Sequence, residues 1–125
     1  MAVVPDFLLK RIYKKGSLKQ TETGIEFQLK NVLGPGTISG LEFIQINEHK
    51  FTKDAISFFT QGKDFLADCI TEINPVYFRL GQEGTIKLSE QINCLKDGIN
   101  KIIINLSNPE AGNVTVTFED NLKLA

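Results

Sequence analysis

The chain has 125 residues, 42% of them apolar and 23% charged, with a formal net charge of −1. That length fits a single domain, residues 1–125, large enough to fold on its own core without a metal or a disulfide. The composition excludes a disordered chain, and the near-zero charge excludes a global pull toward nucleic acid.

The charge is unevenly placed. Lys10, Arg11, Lys14, Lys15 and Lys19 stand against Asp6, which gives the first twenty residues +4 and leaves −5 on the rest. These five cations are the candidate anion-binding residues: a basic amino end on an acidic body suits phosphate, an anionic surface or an acidic patch on a sister subunit. The bland alternative is a solvated face, which small basic clusters usually are.

In chain order, Pro5 to Lys15 reads slightly better as a short helix than as a strand: Pro5 suits a first helical position, Asp6 the first turn and Gly16 the residue past the end. Ser17 to Gln20, a turn at Thr21–Gly24, and Ile25 to Leu33 form a hairpin, with Ile25, Phe27 and Leu29 alternating against Glu26, Gln28 and Lys30. After the turn at Gly34–Gly36, Thr37 to Asn47 reads as one strand whose alternation slips near Gly40, the mark of a bulge. Asn47 to Lys50 is a tight polar turn, and Phe51 begins the return.

Ile56 to Gln61 is a strand, while Phe65, Leu66, Cys69, Ile70 and Ile73 have the near-helical spacing of one or two helical turns over 64–73. Val76 to Leu80 and Thr85 to Leu88 are short strands; Ser89 to Leu95 fits no single pattern. Beyond the turn at Lys96–Gly98 comes the clearest signal of the chain. Ile102, Ile104 and Leu106 alternate with Ile103 and Asn105, and Val114, Val116 and Phe118 alternate with Thr115, Thr117 and Glu119, across the turn formers Asn108 to Asn113. Ile103, on the nominally wet face, hints at a second covered surface. The expected fold class is all-β: an antiparallel β-sandwich of about seven to nine strands, with turn signals about every 8–12 residues and at most one or two short helices.

Chemical motifs are sparse. His49 sits in a polar turn between Glu48 and Lys50, with no nucleophile signature such as Gly-x-Ser-x-Gly anywhere in the chain. One histidine makes a transition-metal centre improbable, and no acidic loop has calcium spacing, so no metal ligands are assigned. Gly34, Gly36 and Gly40 miss the dinucleotide fingerprint, and the residues after them read as strand where the fingerprint needs a helix. Cys69 and Cys94 match no zinc or redox spacing; they read as two buried thiols, with a disulfide as the alternative. The phenylalanines sit at in-facing positions, against an RNA-binding sheet.

The run Val4 to Lys19, then Gly24 to Asn31, together with Gly98–Ile104, Gly112 and Phe118–Asp120, resembles a family of small, mostly uncharacterised prokaryotic proteins of about this length, some of which carry the label hydroxymethylglutaryl-CoA reductase. The resemblance implies fold size and a cytoplasmic setting and transfers no site residue. The reductase label implies a nucleotide site, a CoA site and catalytic Lys, acid and His residues, which one domain with one turn histidine does not supply.

The functional expectation is a non-enzymatic binding or assembly module that self-associates through a sheet face or edge, without catalytic residues and without a cofactor. The alternatives are a binder of a small acidic or acyl ligand that uses the basic amino end, and an enzyme built from scattered carboxylates. A homo-oligomer is the expected partner state. No apolar run is long enough to span a bilayer, and the first residues lack the order of a signal peptide, so cytoplasm is the expected location.

Overall fold

The computed structural model describes residues 10–33, 36–90 and 93–122. Among the described residues, eleven strands, all paired antiparallel, build three sheets. They are β1 (Lys19–Gln20), β2 (Ile25–Lys30), β3 (Gly36–Ile38), β4 (Gly40–Ile46), β5 (His49–Thr52), β6 (Ile56–Thr60), β7 (Lys63–Leu66), β8 (Val76–Phe78), β9 (Glu83–Leu88), β10 (Gly98–Asn108) and β11 (Gly112–Leu122). A five-stranded sheet runs β1-β2-β9-β6-β7, a four-stranded sheet runs β11-β10-β4-β5, and β3 with β8 forms a small third sheet. The all-β sandwich expected from the alternation is the fold observed.

The core is the sum of the in-facing positions. Ile25, Phe27 and Leu29 of β2, Ile86 and Leu88 of β9, and Ile56 and Phe58 of β6 are buried from one sheet. Leu41, Ile44 and Ile46 of β4, Phe51 of β5, Ile102 and Ile104 of β10, and Val116 and Phe118 of β11 meet them from the other. Side chains at every second position of a pleated strand share a face, so two such faces pressed together remove both from water. Gly84 makes room at the centre: a Cβ there would lie 2.3 Å from the Phe58 ring.

Several expectations need correction. Thr37–Asn47 is not one strand. Ser39 breaks it, the first piece pairs with β8 and the second with β10, and the bulge falls at Glu42, opposite the Asn105–Leu106 step, rather than at Gly40. The extra residue is why Leu41 and Ile44, three apart, both point inward. Residues 64–73 are not helical turns: Lys63–Leu66 is β7, closed onto β6 through Gln61 and Gly62, both at positive φ, and only Ala67–Cys69 makes a 3-10 turn. Of the amino-terminal helix, residues 5–9 lie outside the described residues; Lys10–Ile12 is a 3-10 turn, and Tyr13 after it is extended and bridged to Leu29. The turn at 34–35 and residues 91–92 also lie outside the described residues. Cys69 is exposed and Cys94 half-buried, and both are free, so the pair is not two buried thiols.

Tyr13 fastens this amino segment to both sheets. Its backbone bridges Leu29, its ring stacks on Phe118 with centroids 4.9 Å apart, and its hydroxyl donates to the buried Asp120 carboxylate. Asp120 also accepts from the Gly16 amide at 2.9 Å. Burial first, and the Asp120 carboxylate second, push the Tyr13 phenol well above its ordinary range, so it stays neutral. On the outer side of β10 and β11, Asn105 and Asn113 exchange amide hydrogen bonds at 2.8 Å in both directions, and Asn105 also donates to Thr115 Oγ1.

Candidate functional site

Three surfaces stand out: the two ends of the five-stranded sheet and the outer edge of β11.

Where β9 finishes, at Leu88, buried Asn100 organises the loops. Its Oδ1 accepts from the Lys96 amide and from Asn47 Nδ2, and its Nδ2 donates to the Lys96 and Gly98 carbonyls. Asn47, at φ +56, accepts from the Lys101 amide and donates to the Cys94 carbonyl at 2.7 Å. An asparagine tolerates the left-handed region because its short amide can bond locally. These bonds hold open a cleft of about 500 Å³ lined by Asn47, Glu48, His49, Asn93, Cys94 and Lys96.

Within reach of that cleft, His49 Nε2 lies 3.2 Å from Glu90 Oε1, though the nitrogen is buried and makes no well-aligned hydrogen bond. The contact is an ion pair only when the imidazole is protonated. The His49 ring packs edge-on against Phe51, centroids 4.6 Å apart. Burial first, and then repulsion from Glu90, push the Cys94 thiol above its ordinary range. A thiol held protonated is a poor nucleophile, so Cys94 beside His49 and Glu90 is not an activated cysteine site. Among the described residues, no group of three or more His, Cys, Asp or Glu side chains could hold a metal ion. The residue pattern places His49 in a surface turn and gives no sign of Glu90, whose approach depends on a long-range fold contact.

Where β9 begins, at Glu83, the surface is of another kind. Asn31 is buried; its amide donates to the Gln82 carbonyl, its carbonyl accepts from the Gly81 amide, and its Nδ2 donates to the Phe78 carbonyl. The two loops it joins expose Val32 (46%), Leu33 (38%) and Leu80 (62%), and the outer face of β8 exposes Tyr77 (55%). Gln61 reaches in from the β6–β7 turn to the Tyr77 carbonyl at 3.1 Å.

The five cations singled out from the sequence do not share one pocket. Lys10, Arg11 and Lys15 are exposed around the turn before and after Tyr13. Lys14 Nζ lies 3.8 Å from Glu83, and Lys19 Nζ lies 3.0 Å from Glu26. The cleft beside Asn100 is lined by other residues. The Tyr13–Leu29 bridge does bring Lys14 to the end of β2, where it meets Glu83, while the Lys10–Ile12 turn packs on β11, which periodicity alone could not foresee.

The third surface is the edge strand β11. It pairs with β10 without interruption from Gly112 to Leu122, and among the described residues no strand pairs on its other side. The other edges of the two larger sheets are short and carry lysine: β1 has two residues with Lys19, β5 four with Lys50, and β7 four with Lys63. Short strands and edge lysines discourage strand addition; β11 has eleven residues, no lysine, no proline and no bulge.

Among the described residues, no helix is long and apolar enough to cross a membrane. No curated protein matches the chain. The sequence model of the family described as hydroxymethylglutaryl-CoA reductase, N-terminal domain, matches residues 8–123, from the segment ahead of Tyr13 to the end of β11. By that match the chain belongs to the hydroxymethylglutaryl-CoA reductase N-terminal domain family.

Proposed function

We propose that the domain is a non-enzymatic assembly module that self-associates through the edge of its four-stranded sheet. The observation that supports this is β11, an eleven-residue edge rich in Val and Thr beside three edges that are short and lysine-bearing. A second copy is the fitting occupant. The only charges on β11, Glu119 and Asp120, lie toward one end, so a two-fold antiparallel pairing sets Glu119 against the neutral half of its partner, whereas parallel stacking would set it against itself. Such a pairing joins two four-stranded sheets into one. The family description speaks of the amino-terminal domain of a reductase, which accords with an accessory role.

Light scattering at tens of micromolar tests the reading. The expected mass is that of a dimer, and Thr117→Lys, which adds a charge to the edge, is expected to give a folded monomer with an unchanged circular-dichroism spectrum. A monomeric parent protein removes the proposal.

A further inference from the structure

Cations gather around the exposed apolar side chains at the Asn31 end. Lys30 is exposed and directly opposite Glu83 in the β2–β9 register, and Arg79 is exposed beside Leu80. Lys14 reaches the same Glu83, and Lys10 and Arg11 precede the residue that bridges Leu29. Glu83 is thus flanked by Lys14 and Lys30, and Glu42 of β4 is paired with Lys53 at 3.2 Å. At the Asn100 end Glu48 and Glu90 stand beside His49, Lys96 and Lys101. Of the other large exposed apolar residues, Phe59 lies under Lys87 with Leu66 diagonal to it on β7, Ile73 lies in the loop before β8, and Ile99 is on β10.

From this juxtaposition we infer that the Asn31 end docks on an anionic lipid bilayer as a peripheral surface, with Val32, Leu33 and Leu80 entering the headgroup boundary and Lys14, Lys30 and Arg79 at phosphate level. Apolar tips ringed by basic side chains are what an acidic bilayer interface selects, because each component supplies binding that the other lacks. Tyr77, with an apolar ring and a polar tip, suits the same depth. The site goes beyond self-association and uses none of β11.

Co-sedimentation with phosphatidylcholine vesicles, with and without phosphatidylserine, tests it. The parent protein is expected to partition onto the phosphatidylserine vesicles, to ignore pure phosphatidylcholine and to be released by salt. Leu80→Ser is expected to weaken binding about tenfold or more, given what one buried leucine contributes. Arg79→Glu is expected to abolish it, while Leu66→Ser on β7 leaves it unchanged. Absence of partitioning overturns the inference, as does full binding by Leu80→Ser, which would reduce the surface to an unspecific cation patch. Failure here is separable from failure of self-association: the first is read on vesicles with end variants, the second as mass in solution with Thr117→Lys.

Discussion

The two ends of this sandwich are built by the same device and finished differently. Each has a buried asparagine whose amide serves loop carbonyls, Asn100 at one end and Asn31 at the other. Around Asn100 the loops present Glu48, His49, Asn93 and Lys96, polar groups that water satisfies. Around Asn31 they present Val32, Leu33 and Leu80, which gain nothing from water. A fold needs its loops tied down, but it does not need them greasy. The difference therefore points to contact with something outside the chain at the second end, and to plain loop closure at the first.

Three experiments sharpen that contrast. The largest effect is expected from Asn100→Ala, which orphans the Lys96 amide and leaves the Asn47 amide and two carbonyls short of a partner; about 3 kcal/mol of stability should be lost in urea unfolding, the upper range for buried polar groups left unpaired. If the loss is negligible, the polar end is not held by its asparagine and the parallel between the ends fails.

The next effect concerns the segment that carries Lys14 to the Asn31 end. Tyr13→Phe removes the hydroxyl bond to Asp120 and should cost about 1–2 kcal/mol at neutral pH. The pH dependence has a definite sign. The folded phenol titrates above its unfolded value of 10.0, so its contribution is complete below that pH and is lost as pH rises beyond it, because only the unfolded chain then releases the proton readily. The parent protein should therefore destabilise more steeply in alkali than Tyr13→Phe, read as melting temperature against pH. Cys94, also raised, adds to the slope in both proteins and cancels in the comparison.

The smallest effect is expected from Leu80→Ser: a change in stability within about 0.5 kcal/mol, since an exposed side chain supports no packing. A larger loss would mean that Leu80 serves the fold rather than an outside contact.

Much of the architecture is legible in the residues. Alternation at Ile102, Ile104, Val116 and Phe118, and at Ile25, Phe27 and Leu29, reports one buried face per strand, and two such faces define the sandwich. The misreadings have physical causes. Phe65, Leu66, Cys69 and Ile70 mimic helical spacing because a four-residue strand runs directly into a 3-10 turn, and so short a strand offers too few positions to fix a period. The existence of a bulge is legible but its place is not, since Gly40 is the visible irregularity while Glu42 is the unpaired residue. Surface character is the least legible. That Lys14 comes to lie beside Glu83 at the start of β9 depends on Tyr13 meeting Leu29, Phe118 and Asp120, partners up to 107 positions away, and no local pattern encodes such a meeting.

The reciprocal Asn105–Asn113 amide pair has a consequence for producing the protein. Both residues head acceptor triplets for N-linked sugar, Asn105-Leu-Ser and Asn113-Val-Thr. A glycan added to either during passage through a secretory host would take the amide that the other needs and place a bulky polymer on the face where β10 meets β4 and β11. Once folded, the strand pair shields Asn105 from the transferase, so sugar occupancy at that triplet would report how fast the hairpin closes as the chain emerges.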